Sequence, residues 1–182
     1  AAYIDAFYIN NIFSCMLCGL GFDAQVAHDF AKQSSRGLSS YIKQGIRNFF
    51  IARPYPFSIM IHGIEIKTQA YFISIANSNQ FGNHVTIAPR ASLSDGLLDI
   101  VIVNKMNKLK MLFYILKQIR VGKAELISGK RFQHKGIQYF QSKNVIIKNP
   151  SVAPLHIDGE PAETSTELNI KIIENAFRLI QP

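Results

Sequence analysis

The segment LHIDGEP, residues 155–161, carries the carboxylates of this sequence that are best placed to do chemistry. In a continuous strand successive side chains alternate, so His156, Asp158 and Glu160 would share one face. Asp158 followed by Gly159 is equally a strong signal for a hairpin turn, and a turn would break this alternation. From the residues alone the turn is the favoured interpretation, and both carboxylates remain candidate catalytic groups.

A second candidate site lies in the sequence SLSDGL, residues 92–97. A single carboxylate in a tight turn, here that of Asp95, can hold a hard cation such as Mg²⁺ together with converging backbone carbonyls and water. The alternative is that Asp95 and Gly96 form a turn and nothing more. Asp99, in the strand that follows, is expected to face solvent.

A polar loop, residues 77–84, separates a predicted strand at 71–76 from another at 97–103. Its Asn, Ser, Gln and His side chains are too many to be buried without partners, so the loop is expected at an exposed strand end, where sites tend to be built. A plain polar crossover loop is the alternative. Asn77 and Asn79 could line a cleft through their amides, or could cap turns.

Transition-metal and disulfide chemistry are not expected. Cys15 and Cys18 form a C-x-x-C, but a structural zinc site usually needs a second pair and the chain has only two cysteines. We therefore predict buried thiols in a reducing cytoplasm. Apart from His156, the histidines are isolated in sequence.

Length and composition favour one domain with one substantial core, spanning residues 1–182, with 48% hydrophobic and 18% charged residues. The first 31 residues contain three Asp and no Lys or Arg, whereas residues 105–148 contain eleven Lys or Arg against Glu125 alone. This imbalance favours an anionic partner such as lipid headgroups, nucleotide phosphates or nucleic acid over ordinary solubility charge.

No apolar run approaches the ~20 residues of a membrane-spanning helix. The N-terminus has no basic region of the signal-peptide kind, and with no initiator Met the chain resembles an excerpt of something longer. An amphipathic helix over 109–119, with lysines beside its apolar stripe, could lie on an anionic membrane or, as we favour, cover a sheet.

The remaining pattern is mainly strand. We predict helices at 24–33, after the N-cap Asp23, and at 37–51. Strands are predicted at 3–10, 12–17, 57–61, 64–68, 71–76, 97–103, 136–141, 143–148, 155–157, 166–173 and 176–180. Short strands with Pro and Gly between them indicate a β-sandwich with peripheral helices, an α+β architecture.

Several motifs together resemble the diacylglycerol kinase and sphingosine kinase-like lipid kinase family, in the second, β-rich lobe of its bacterial members. They are, in the family's order, GLGFDAQVAH at 19–28, N-x-N-x-x-G from 77, I-A-P-x-A from 87, SDGLLD from 94 and LHIDGEP from 155. The family commonly has a glycine run where this chain has Gly82-Asn83-His84. The resemblance implies an NAD kinase-like β-sandwich.

The resemblance also implies roles for particular residues. Glu160 would accept the proton of a lipid hydroxyl as that hydroxyl attacks the γ-phosphorus of ATP, with Asp158 beside it. The Asp95 carboxylate and the carbonyls of Ser92 and Leu97 would hold Mg²⁺. On their amide chemistry, and not on the resemblance, Asn77 and Asn79 are candidate contacts to the co-substrate ATP in the cleft between the lobes.

The chain has no Walker-type loop and no GGDG motif, which in these kinases lies in a separate N-terminal lobe. The expectation is thus the C-terminal lobe of a two-lobe lipid kinase, inactive alone, cytoplasmic and peripheral at the inner membrane face. Its expected partners are its own ATP-binding lobe and a lipid substrate, with a homodimer possible and no nucleic acid. The alternatives are a kinase for a soluble substrate, and a non-catalytic basic module that binds membranes or nucleic acid.

Overall fold

A computed structural model describes residues 2–31, 48–49, 51–79, 88–110, 132–134 and 136–180. The single complete helix in these ranges is α1 (Phe22–Ala31). The strands are β1 (Ala2–Ile9), β2 (Ile12–Ser14), β3 (Leu17–Gly21), β4 (Tyr55–Ile61), β5 (Ile64–Ala76), β6 (Leu98–Asn104), β7 (Phe132–His134), β8 (Ile137–Ser142), β9 (Asn144–Lys148), β10 (Leu155–Ile157), β11 (Glu160–Ala162) and β12 (Glu167–Leu179). The prediction of a mainly β architecture is confirmed.

The long strand β5 belongs to both layers of the fold. Its first half pairs with β4, and the sheet continues through β9, β12 and β1 to β2. Its second half lies between β3 and β6, and from there the sheet continues through β10 to β11 on one side and through β8 to β7 on the other. All pairings are antiparallel. One strand therefore connects the two layers directly.

The main core lies between these layers. Phe7, Ile59 and Ile147 come from the first layer, and Leu20 and Ile100 face them from the second; all five are 0% exposed. A second apolar cluster, which includes Phe49, Phe72 and Val101, covers the other face of β5 and β6. Because β6 is covered on both faces, its sequence is a continuous apolar run interrupted only by Asp99.

The C-terminal strand differs from the prediction. Residues 166–173 and 176–180 were expected as two strands, but β12 is continuous over 13 residues. It accommodates an irregularity instead: Ile4 pairs with Phe177 and Ala6 pairs with Ile173, so Asp5 alone opposes three residues of β12. Asn175, in this bulge, has a φ of 53°. The bulge explains the interrupted sequence pattern without ending the strand.

The helix predicted at 24–33 is found as α1, which begins two residues earlier, so Asp23 lies within its first turn and the prediction of Asp23 as the N-cap is wrong. The predicted helices at 37–51 and 109–119 lie largely outside the described residues, although residues 48–49, 51 and 108–110 are helical. No helix in the described ranges is long and apolar enough to cross a membrane.

Candidate active site

The carboxylates of residues 155–161 lie on a two-residue hairpin. β10 and β11 pair with Ile157 opposite Glu160, and the turn consists of Asp158 and Gly159, whose φ angles are 49° and 88°. Positive φ at both turn positions is the geometry that Asp-Gly favours. The turn interpretation is therefore confirmed, and the continuous strand with three side chains on one face is not formed.

The Asp158 carboxylate is occupied by the segment that joins β2 to β3, residues 14–17, here called the strap. Its Oδ1 accepts hydrogen bonds from Ser14 Oγ at 2.7 Å and from the backbone N–H groups of Met16 and Leu17, both at 3.0 Å. Its Oδ2 accepts the Cys15 N–H at 3.2 Å. In return, the Asp158 N–H donates to the Leu17 carbonyl at 2.8 Å.

These contacts keep Asp158 ionised. Partial burial alone would raise the pKa of its carboxyl, but the hydrogen bonds from Leu17, Ser14, Cys15 and Met16 outweigh burial and lower the pKa below its ordinary value. A carboxylate stabilised in this way is a poor proton acceptor. Asp158 is thus suited to fixing the turn against the strap and not to exchanging protons.

Glu160, in contrast, is exposed, and within the described ranges its carboxylate makes no hydrogen bond or ion pair. It begins β11 directly after the fixed turn. A carboxylate held by a rigid hairpin with both oxygens open is able to accept a proton from a group that docks against it. Of the two candidate carboxylates, Glu160 is the one available for acid–base chemistry.

Behind the hairpin lies a buried pair, His156 and Asp23. The Nε2 atom of His156 is 3.5 Å from Asp23 Oδ2, and the two side chains are 1% and 6% exposed. Asp23 Oδ1 accepts the Ala24 N–H at 2.8 Å near the start of α1. On the other side of the ring, Nδ1 accepts the Gly159 N–H at 3.4 Å. His156 therefore touches both α1 and the turn.

The predicted metal turn is exposed at Asp95, whose Oδ1 accepts the Leu97 N–H at 3.1 Å. The other carboxylate oxygen has no hydrogen bond within the described ranges. Carboxylate and backbone carbonyl oxygens are the donors that Mg²⁺ prefers, so the chemistry of the residues in this turn fits the ion, and its binding there stays a prediction. No group of three or more His, Cys, Asp or Glu side chains that could bind a metal occurs in the part of the chain described here.

Asp5 holds this turn in place, and sequence reasoning missed it. Its carboxylate is buried and accepts the N–H groups of Gly96 and of Asn175, both at 2.8 Å, while its own N–H donates to the Leu93 carbonyl at 2.7 Å. The one available signal was an Asp within an apolar strand, because a buried carboxylate needs hydrogen-bond donors.

Asp99 is 0% exposed, so the expectation that it faces solvent is wrong. Burial raises the pKa of its carboxyl to about 7, against the opposing effect of a 3.2 Å hydrogen bond from Gln141 Nε2, and the nearby Asp95 adds to the rise. The reason is that β6 lies between β5 and β8 with both faces covered.

Asn77 is fully buried and uses its amide within the fold. Its Nδ2 donates to the carbonyls of Asp5 at 2.7 Å and Cys15 at 3.0 Å, and its N–H donates to the Met16 carbonyl at 2.8 Å. Its Oδ1 has no partner among the described residues. Asn79 is exposed at the end of the described strand region. Contact of either side chain with a nucleotide stays a prediction.

The strap brings three of the predicted groups together. The Met16 N–H of the strap donates to Asp158, and the Cys15 carbonyl of the strap accepts a hydrogen bond from Asn77 Nδ2. Asn77 Nδ2 also donates to the carbonyl of Asp5. The carboxylate of Asp5 in turn accepts the Gly96 N–H in the turn of Asp95. The hairpin and the turn of Asp95 therefore belong to one hydrogen-bonded assembly, although they are far apart in sequence.

The two cysteines of the strap region are free. Cys18 is fully buried, as expected, and its pKa is raised well above the ordinary value by burial and by the charges of Asp23 and Asp158. Cys15 is only half-buried, so the prediction of two buried thiols is wrong for this residue. The strap leaves the sheet at Cys15, which exposes its side chain.

Comparison with known proteins decides the family. The YegS C-terminal NAD kinase β-sandwich-like domain matches residues 17–181. The chain belongs to this family. The match confirms both the resemblance found in the sequence motifs and the predicted β-sandwich.

Curated relatives of this YegS C-terminal domain have names that describe kinases. The chain is 25% identical over 181 residues to a "Probable lipid kinase YegS-like" of Shewanella frigidimarina, covering 98% of this chain and 55% of that protein. It is 23% identical over 159 residues to the diacylglycerol kinase of Bacillus subtilis, and the match covers 86% of this chain and 50% of that protein. The chain thus spans about half the length of these relatives.

The fold is also found among solved structures. A diacylglycerol kinase from Bacillus anthracis str. Sterne superposes with a TM-score of 0.64 at 14% identity, over 97% of this chain and 52% of that protein. At this identity the likeness concerns the fold.

Proposed function

We propose that this chain is the C-terminal lobe of an ATP-dependent lipid kinase and supplies the base, Glu160, that accepts the proton of a lipid hydroxyl such as that of diacylglycerol. The observation that carries the proposal is the contrast within one hairpin: Asp158 is bound by the strap, whereas Glu160 projects from the fixed turn with no partner in the described ranges. Family membership and the names of the relatives support the reaction class.

In phosphoryl transfer, positioning and charge stabilisation do most of the catalytic work, and a base accepts the proton of the attacking hydroxyl. Glu160 takes that proton as the oxygen–phosphorus bond forms and the bond to the leaving ADP breaks. Asp158 is a positioning residue that fixes the backbone on which Glu160 stands. ATP is held mainly by a separate N-terminal lobe, with Asn79 at the edge of the cleft and Asn77 supporting that edge.

Mg²⁺ bound by the Asp95 carboxylate and the carbonyls of Ser92 and Leu97 would supply a local positive charge that orders the turn. The oxygen-only donor set and the exposed Asp95 support this assignment. We further propose that the kinase works in the cytoplasm at the inner membrane face, where its lipid substrate lies.

The test is transfer of phosphate from ATP to a panel of lipids in mixed micelles by the full-length protein. Glu160→Gln keeps the size of the side chain and removes the base, so we expect kcat to fall by roughly 10²–10⁴-fold. Glu163→Gln, an exposed glutamate just beyond the same hairpin, is the matched control and should keep wild-type activity.

The outcomes of this assay distinguish the three candidate functions. Lipid-dependent transfer that collapses only in Glu160→Gln supports the proposal and identifies the acceptor. Transfer to a soluble acceptor without lipid favours the soluble-substrate kinase. No transfer to any acceptor, with all proteins folded, overturns the proposal in favour of a binding module.

A further inference from the structure

The buried pair of His156 and Asp23 has no part in the chemistry described above, yet it contacts the turn that carries Glu160. We propose that His156 is a positioning residue for Glu160: its Nδ1 holds the N–H of Gly159, while Asp23 orients the ring from the other side. The inference rests on the proposed role of Glu160 and adds a residue to it.

The turn leaves one backbone N–H that the strand pairing does not satisfy. In a two-residue hairpin the strand pairing satisfies the residues that flank the turn, and the N–H of the second turn residue needs another acceptor. Here that residue is Gly159, and its N–H donates to His156 Nδ1 at 3.4 Å. Gly159 directly precedes Glu160, so this contact fixes the peptide that leads to the base.

The His156 ring is held from its Nε2 side as well. Because Nδ1 accepts a hydrogen bond, the proton of a neutral ring lies on Nε2. Nε2 is 3.5 Å from Asp23 Oδ2, an electrostatic contact between two side chains that are almost completely buried. Asp23 is itself fixed by the Ala24 N–H at 2.8 Å. The orientation of the ring is therefore set by α1.

Gly19 leaves the space in which the side chains of His156 and Asp23 meet. Gly19 pairs with His156 across β3 and β10, and a Cβ at position 19 would lie 2.1 Å from Asp23 Oδ2 and 2.5 Å from His156 Nε2. The absence of a side chain at Gly19 is what allows the two groups to approach. α1 contacts β10 a second time, where His28 Nε2 lies 2.8 Å from the Leu155 carbonyl. Helix and hairpin are thus joined at two points.

Two substitutions distinguish the contact made by Nδ1 of the ring from the contact made by Nε2. Asn places its Oδ1 near the position of Nδ1, so His156→Asn keeps an acceptor for Gly159. Gln places its amide near the position of Nε2, so His156→Gln keeps the contact with Asp23 and leaves the Gly159 N–H without its acceptor. Both substitutions are polar and smaller than or similar to the original ring.

The experiment measures kcat and KM for the lipid acceptor, and the melting temperature, with the full-length protein. We expect His156→Gln to lower kcat by roughly tenfold to a hundredfold with KM nearly unchanged, because a misplaced base affects the chemical step. His156→Asn should retain kcat to within about threefold. His62→Gln, an exposed histidine in the turn between β4 and β5, is the matched control and should behave as wild type.

A wild-type kcat in folded His156→Gln overturns the inference, as does an equal loss in the Asn and Gln variants, which would indicate ring packing alone. If either variant does not fold, hydrogen exchange of the Gly159 N–H in the wild type tests the contact directly: protection supports the inference, and exchange as fast as that of Gly63, the second turn residue of the β4–β5 hairpin, overturns it. Failure of the proposed function would be distinguishable, because the wild type would then transfer no phosphate or Glu160→Gln would retain activity.

Discussion

The buried carboxylate of Asp5 accepts the backbone N–H of Gly96 at 2.8 Å, which fastens the turn of Asp95 to the first strand of the chain. Its second oxygen accepts the N–H of Asn175 at the same distance, so one side chain joins β1, β12 and the turn.

Replacing Asp5 by Asn should destabilise the protein. The Asn amide has one oxygen, which can accept only one of the N–H groups of Gly96 and Asn175 in the present geometry. Its NH₂ group then faces the other N–H, which loses its acceptor. An unsatisfied buried donor costs about 1–3 kcal/mol, which corresponds to a fall of roughly 2–12 °C in melting temperature for a domain of this size. Glu163→Gln, an exposed change of the same kind, should leave melting unaltered; equal melting of the two variants would refute the role of Asp5.

Asp158→Asn should weaken the contact between the hairpin and the strap. Because the pKa of Asp158 is lowered in the folded state, its contribution to stability is present above the unfolded pKa of about 3.9 and is lost as the pH falls through the folded pKa. We therefore expect wild type to melt higher than Asp158→Asn at pH 6, with the difference shrinking toward pH 3. A difference independent of pH would contradict this account.

The effect of Asp99→Asn on the melting temperature should depend on pH in the opposite sense to that of Asp158→Asn. The pKa of Asp99 is raised to about 7, so the folded protein favours the protonated carboxyl, and stability is lost as the pH rises from about 4 to about 7. An amide keeps an acceptor for Gln141 without the charge. In the presence of EDTA, the variant should melt higher than wild type at pH 8 and close to it at pH 4; the reverse order at pH 8 would rule out the buried charge as the cause.

Mg²⁺ should raise the melting temperature of the wild-type protein if it binds the turn of Asp95, since a ligand of the folded state stabilises it. Asp95→Asn removes the single carboxylate and should abolish the shift. The readout requires no catalytic activity. An equal shift in both proteins would place the ion elsewhere.

Gly19→Ala should be more disruptive than its size suggests, because the added Cβ would overlap Asp23 Oδ2 and His156 Nε2. Overpacking of this kind costs typically 1–3 kcal/mol. Gly63→Ala is an instructive comparison: its added Cβ meets nothing within 4 Å, but its φ of 75° is strained for Ala. Only Gly19→Ala should also lower kcat. A lower melting temperature of Gly19→Ala with an unchanged kcat would argue against the link between Gly19 and the hairpin.

Local patterns predicted most of the strands and the turn of Asp158 and Gly159. Alternation of apolar residues and the Asp-Gly pair act over a few residues, which is why the hairpins at 57–68 and 155–162 follow from the sequence. The resemblance supplied Glu160 and the sandwich, and no short-range rule would have distinguished this glutamate from Glu163.

The contacts that sequence reasoning missed are long-range. The donors that saturate Asp158 lie in the strap, more than a hundred positions earlier, and Asp5 is bonded by Gly96 and Asn175. The continuity of β12 depends on the bulge opposite Asp5, and the burial of Asp99 depends on the strand on each side of β6. In each case the deciding partner is fixed by tertiary packing.

The pairing of β1 with β12 has a consequence for synthesis on the ribosome. Residues 2–9 have only the short β2 as a local partner, and their main partner, residues 167–179, is translated last among the described strands. Closing so long a loop is slow. We expect the nascent chain to leave Phe7 and Ile9 uncovered until β12 emerges, so this layer can close only after residues 167–179 have been translated.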